Sequence, residues 1–224
     1  MTFRDIQWIF FDVGQTLLDE NAAWQDLFER LTAEVRKDGI QTSPEALRRV
    51  YREVCVRFEP KQWKAIVQSV TRSPERMEEL VKLSECYRHD LERPFEGAGE
   101  VLRTLSRRYK LGVIANQFRG THARLCGHGW GDYIALCVSS AEAGVSKPDL
   151  RIFEVALRDA GCRPEHAVMV GDRLDNDIRP GKAIGMRTVH VRQGGSGAQR
   201  PRDDADRPDA TIDRIADLPA LFDA

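Results

Sequence analysis

Five short runs of apolar, β-forming residues constrain this chain more than any other feature: 6–12, 111–115 (LGVIA), 134–138 (IALCV), 167–170 (AVMV) and 188–191 (TVHV). Continuous rather than alternating hydrophobicity means that both faces of each strand are buried, as in a parallel sheet covered by helices. Helical periodicity lies between most of the runs. Val101, Leu102 and Leu105 share a face within 98–107, and Ile152, Phe153, Ala156 and Leu157 do so within 149–160, where Gly161 supplies a C-terminal stop. Strands alternating with helices predict an α/β protein built on a Rossmann-like parallel sheet.

Residues 21–93 follow another rule. They hold helical stripes and no buried strand. Trp24, Leu27, Phe28, Leu31 and Val35 form the first stripe, closed by Gly39. Ser43-Pro44 pairs an N-cap with a proline at the first helical position, ahead of Leu47, Val50, Tyr51 and Val54. Trp63, Ile66, Val67 and Val70 mark a short third helix. Ser73-Pro74 opens a fourth, carrying Met77, Leu80, Val81, Ser84, Tyr87 and Leu91 and ending at Pro94. The expectation is a four-helix insert (19–93) after the first strand, within a core of 1–18 and 94–224. Residues 193–209, rich in Gly, Pro and charge, read as a mobile loop.

Composition narrows the function. A net charge of −1 over 224 residues, without a polybasic block, gives no electrostatic case for nucleic acid. No apolar stretch is long enough to span a membrane. The N-terminus, with Thr2 and Arg4, has no leader pattern. Five scattered cysteines without a CxxC read as reduced thiols of a cytoplasmic protein. Cys126 and His128 in CGHGW lack the second ligand pair that a zinc site needs. GGSG (194–197) lacks the GK[ST] of a phosphate loop.

Ligands of parallel sheets sit at the carboxyl ends of the strands. There the chain places Asp12, Asn116, Asp172 and Asp177, with Lys147 in SKPD before a helix. Each alone also reads as a turn former, a cap or a solvated surface residue; their joint placement carries the argument. Close carboxylates repel unless a cation neutralises them, and oxygen ligands suit Mg²⁺. A lysine at a helix N-terminus suits a phosphate. Cation and anion sites side by side describe phosphoryl chemistry.

At these residues the chain resembles the haloacid dehalogenase superfamily. FFDVGQTL with Asp12 to Thr16, Asn116 in LGVIAN, Lys147 in SKPD and VGDRLDND (170–177) look like its four motifs, in order. The helical insert sits where the family's C1-type cap follows the first motif. The resemblance implies a Mg²⁺-dependent phosphatase acting on a small phosphorylated metabolite. Asp12 would be the nucleophile. Asp12, the main-chain carbonyl of Gly14 and Asp172 would hold Mg²⁺, supported by Asp177. Lys147 would steady nucleophile and phosphoryl oxygens, and Thr16 and Asn116 would bind or organise the phosphoryl group. The insert would act as a lid hinged near 17–20 and 93–97.

Two residues depart from the pattern. Position 14 is Gly where the family's phosphatases carry a second Asp, the general acid and base. Such help is worth about 10²–10⁴ in rate, or roughly 3–5 kcal/mol. Position 115 is Ala where a Ser or Thr hydroxyl is usual, a hydrogen bond worth on the order of 1–3 kcal/mol. Gln15 and Gln117 flank the changed positions; either amide could orient a water, and neither is an acid. The departures keep alternatives open: a slow or atypical phosphatase, a catalytically degenerate protein that binds a phosphorylated ligand or a protein partner, a phosphonate hydrolase using Lys61, Lys64 or Lys82, or a dehalogenase. The intact GDRLDND argues against the last, because dehalogenases of the family do not need Mg²⁺ and have lost that acid pattern. Oligomeric state is not encoded in any pattern found.

Overall fold

Every one of the five apolar runs lies in one sheet. In this computed structural model, which describes residues 3–222, the strands are β1 (Trp8–Phe11), the two-residue β2 (Leu18–Asp19) and β3 (Arg93–Pro94), β4 (Lys110–Ala115), β5 (Ile134–Ser139), β6 (Ala167–Gly171), β7 (Arg187–Val191) and β8 (Ala210–Ile212). Six of them form a parallel sheet in the order β5-β4-β1-β6-β7-β8, and β2 pairs with β3. The helices are α1 (Asn21–Lys37), α2 (Pro44–Val56), α3 (Gln62–Gln68), α4 (Pro74–Val81), α5 (Ala98–Leu105), α6 (Thr121–Gly127), α7 (Ser140–Ala143), α8 (Leu150–Ala160) and α9 (Arg179–Ala183). The chain divides into two compact units, Met1–Leu18 with Pro94–Ala224, and Asp19–Arg93.

The α/β unit explains why its strands are apolar throughout. Odd and even residues of each strand feed different cores. Ile9, Phe11, Leu111, Val113, Val168, Val170, Val189 and Val191 face one side, packed with Val101, Leu102 and Leu105 of α5 and with Ile215 and Leu218. Trp8, Phe10, Ile114, Met169 and Val138 face the other, packed with Ile152, Phe153, Ala156 and Leu157 of α8. Each large side chain so buried contributes about 1.5–3 kcal/mol. Gly112 of β4 is required by this packing: a Cβ there would lie 2.6 Å from the ring of Phe10.

The helical unit has its own core of Phe28, Leu31, Val35, Leu47, Tyr51, Cys55, Ile66, Val67 and Leu80. Both Ser-Pro signals act as read from the sequence. Ser43 Oγ accepts the N–H of Ala46 at 3.2 Å, and Ser73 Oγ that of Arg76 at 3.3 Å.

Three expectations need correction. The fourth helix stops at Val81 and continues as 3-10 turns at Lys82–Cys86 and His89–Leu91. Ser84 Oγ donates to the carbonyl of Val81 at 2.8 Å, a side-chain bond that competes with regular helix. The strand β8 was not anticipated, since three residues behind a polar loop leave no period to detect. The 193–209 loop does not hang free. Ser196, Gln199 and Asp206 are buried, and Gln199 Oε1 accepts the N–H of Leu174 at 2.8 Å. Asp206 accepts from both Arg179 and Arg202, and Lys182 Nζ donates to the carbonyls of Asp204 and Arg207. Part of its polar composition serves internal hydrogen bonds, while Arg200, Arg202, Asp203, Asp204 and Arg207 face solvent.

Candidate active site

Asp12 follows β1 directly, and its N–H donates to the carbonyl of Val170 in β6 at 2.9 Å. That bond ties the end of the first strand to the strand that delivers Asp172. Asp177 comes from a π-helical turn, Leu174–Ile178, and its Oδ2 accepts the N–H of Arg173 at 3.0 Å. Gly171 makes room for it: a Cβ at that position would fall 2.3 Å from Asp177 Oδ2. One carboxylate oxygen from each of Asp12, Asp172 and Asp177 lies within 4.8 Å of the others.

Lys147 is the counterweight. Its Nζ donates to Asp12 Oδ1 at 2.7 Å and to Asp177 Oδ1 at 2.6 Å, with only 2% of the side chain exposed. Burial alone would lower its pKa, but the charges of Asp12 and Asp177 raise it above the ordinary lysine value. Burial, and then the neighbouring Asp12 and Asp177 charges, hold the Asp172 carboxyl well above the usual carboxylate range. Burial pushes Asp177 to about 6 in spite of Lys147. Three carboxylates thus share one ammonium, a clustering that calls for further positive charge.

The donor set fits the metal that the sequence implied. Asp12 and Asp172 could ligate Mg²⁺ through carboxylate oxygens, with Asp177 beside them and water completing the shell. Among the described residues, these acids are the one His, Cys, Asp and Glu group gathered closely enough for a metal. Cys126 Sγ approaches His122 at 3.9 Å and not His128, whose ring packs on Trp130. All five cysteines are free, and burial pushes the Cys137 thiol to about 12.

Four further residues named from the sequence have defined surroundings. Asn116 follows β4 and spends its amide on the backbone of Lys147. Its Oδ1 accepts the Lys147 N–H at 2.8 Å, and its Nδ2 donates to the Lys147 carbonyl at 2.9 Å. Both amide atoms thereby hold the backbone of Lys147 in register. Thr16 is buried, and its Oγ1 has no hydrogen-bond partner among the described residues, as a group awaiting a ligand or water would. Gln117 Oε1 accepts from Arg124 at 2.7 Å, so that amide is already engaged. Gln15 stands in the left-handed region at φ 60°, its buried amide against Gly194 and both amide atoms unpaired. Sequence reasoning missed His190, whose Nε2 lies 2.9 Å from the carbonyl of Asp172, and Gln193, whose Nε2 donates to the carbonyl of Thr16 at 2.8 Å. Burial lowers the His190 pKa. No local pattern marks these residues, since each acts across the sheet.

This arrangement is matched by a family model. The model described as haloacid dehalogenase-like hydrolase covers residues 9–191. The chain belongs to the haloacid dehalogenase-like hydrolase family. It is 31% identical to the glyceraldehyde 3-phosphate phosphatase of Methanopyrus kandleri, with 95% of both chains covered. Its fold is that of an HAD phosphatase from Thermococcus onnurineus (TM-score 0.65, 22% identity, 96% of this chain and 97% of that one). It is also that of a 2-haloacid dehalogenase from Pseudomonas syringae (TM-score 0.62, 24% identity, the same coverage). One fold thus carries both names, and the reaction must be argued from the residues of the rim. No helix among the described residues is long and apolar enough to cross a membrane.

Proposed function

We propose that this hydrolase is a slow Mg²⁺-dependent phosphatase of small phosphorylated metabolites, acting through Asp12. The observation that carries the reading is the buried Lys147 bridging Asp12 and Asp177 beside Asp172. A carboxylate nucleophile must be held in line for attack, and the Lys147 ammonium at 2.7 Å orients Asp12. Asp12 attacks phosphorus, the ester P–O bond breaks, and the leaving oxygen takes its proton from solvent because Gly14 offers none. Water then attacks the aspartyl phosphate, releasing phosphate and restoring the carboxylate. Lys147 steadies the phosphoryl oxygens throughout, Asn116 keeps Lys147 in place, and Thr16 Oγ1 is a donor for the phosphoryl group. Bound Mg²⁺ would supply charge neutralisation to the same oxygens, held by Asp12, the Gly14 carbonyl and Asp172. The unit 19–93 serves as the cap that selects substrate, and the phosphatase name of the Methanopyrus relative makes three-carbon phosphate esters the first candidates.

The test is phosphate release with Mg²⁺ from a panel of phosphomonoesters, glyceraldehyde 3-phosphate and glycerol phosphates included. Activity abolished by Asp12→Asn supports the reading; silence across the panel overturns it. Gly14 and Ala115 favour one second reading, a degenerate member that binds a phosphorylated ligand or a partner without turnover. A beryllium fluoride adduct at Asp12 in a protein that releases no phosphate would select it. A phosphonate hydrolase is disfavoured because Lys61, Lys64 and Lys82 are all exposed, where an amine is not desolvated for Schiff-base chemistry. The intact Asp172 and Asp177 disfavour a dehalogenase.

A further inference from the structure

The helical unit carries a second concentration of charge, of the opposite sign. Gln25 of α1 and Glu45, Arg48, Arg49 and Arg52 of α2 line a cavity of about 450 Å³. Arg52 lies four residues after Arg48 and three after Arg49, so it neighbours both on the helix surface, and all three guanidinium-bearing residues line the one cavity. Four other arginines of this unit are answered by carboxylates: Arg30 by Asp26, Arg57 by Glu53, Arg76 by Asp38 and Glu79, Arg88 by Asp90; Arg36 and Arg72 are not, but neither lines this cavity. Here the pairing is missing. Arg48 donates to Gln25 Oε1, an uncharged acceptor whose own Nε2 donates to Glu29. Arg49 and Arg52 make no hydrogen bond or ion pair among the described residues.

Glu45 is the one acid in the lining, a single carboxylate against three guanidinium groups. Its own backbone N–H, and then the Ser43 hydroxyl, hold its carboxyl below the usual range, with Arg48 and Arg49 adding less. Arg48 and Arg52 at i,i+4 and Arg49 and Arg52 at i,i+3 are like-charge neighbours that weaken the helix by a few tenths of a kcal/mol per pair unless an anion neutralises them. Guanidinium forks match phosphate oxygens two at a time, and a walled cavity lets several forks meet one ligand.

We propose that this cavity is a binding site for a small polyanion built of linked phosphates, separate from the acidic rim of the α/β unit. Arg49 and Arg52 clamp the phosphate chain, and Arg48, braced by Gln25, fixes its orientation. The acidic rim cannot take such a ligand without a metal, because its three carboxylates repel it, whereas the arginine cavity can.

The test is calorimetric titration of the full chain with inorganic triphosphate and with ATP, in EDTA, at two salt concentrations. Arg49→Glu/Arg52→Glu is titrated in parallel, with Arg49→Ala/Arg52→Ala as a milder pair and thermal unfolding as the check on folding. Saturable one-to-one binding that weakens at least tenfold in both double variants, and falls with salt, supports the site. Equal affinity for the two ligands identifies free polyphosphate as the source, and tighter ATP binding identifies a nucleotide. Absence of binding at millimolar triphosphate, or binding indifferent to both double variants, overturns the proposal.

Discussion

Replacing Lys147 by Met tests the electrostatics of the rim directly. Its Nζ lies 2.7 Å from Asp12 and 2.6 Å from Asp177. At an effective dielectric of 20, each contact is worth about 6 kcal/mol before desolvation is charged against it. The three carboxylates lie within 4.8 Å of one another, so each pair repels by about 3.5 kcal/mol or more on the same scale when both are ionised. Removing one member of a buried pair typically costs about 3–5 kcal/mol, and that is the loss expected at pH 8. The pH dependence has a definite sign. Lys147 has a raised pKa and stays charged from pH 5 to 8. Asp177 has a raised folded value, so its contribution is fully present below about pH 4 and is lost as pH rises through about 6; Asp172, also raised, acts with the same sign. Without Lys147 these values move further up, and the acids shed their repulsion at pH 5 by binding protons. The expected deficit of Lys147→Met is therefore larger at pH 8 than at pH 5. Urea unfolding in EDTA at the two pH values measures it, and added Mg²⁺ should recover part of the pH 8 loss. An equal deficit at both pH values, or a larger one at pH 5, would refute the reasoning.

Other perturbations reach different parts of the molecule. Gly14→Asp restores an acid at the position two residues after Asp12 and should raise phosphate release by about 10²–10⁴, read as kcat; no gain would mean that more than leaving-group protonation is lacking. Gly171→Ala puts a Cβ 2.3 Å from Asp177 Oδ2, so that the carboxylate must move; Mg²⁺ affinity by calorimetry should fall about 10–100-fold with the fold intact by circular dichroism. Asp206→Ala leaves Arg179 and Arg202 without their buried acceptor, and unfolding in urea should show a loss of about 2–3 kcal/mol; a neutral result would mean that the 193–209 loop is held by its other bonds.

Much of the fold was legible because burial writes itself into composition. Strands covered on both faces must be apolar at every position, so the runs at 111–115 and 188–191 announce themselves one by one. Ser43-Pro44 and Ser73-Pro74 are equally local, since a cap reaches only three residues ahead. Where local preference competes with packing, the reading failed. The tail of the fourth helix keeps its apolar spacing yet winds as 3-10 turns, and the 193–209 loop looks like a solvated segment although Gln199 and Asp206 are buried.

The sequence by itself determined which side chains stand at the carboxyl ends of the strands: Asp12, Asn116, Lys147, Asp172 and Asp177 follow from strand ends and motif spacing. It also determined the absence of an acid at Gly14. Only the tertiary structure decided what those groups do to one another. Lys147 is 135 residues from Asp12, and no local rule states that its ammonium bridges Asp12 and Asp177 or that the Asn116 amide grips its backbone. The physical reason is range. Propensity and capping act over a few residues, whereas the charge balance of a buried site depends on distances of a few ångströms between segments that only the packed sheet brings together.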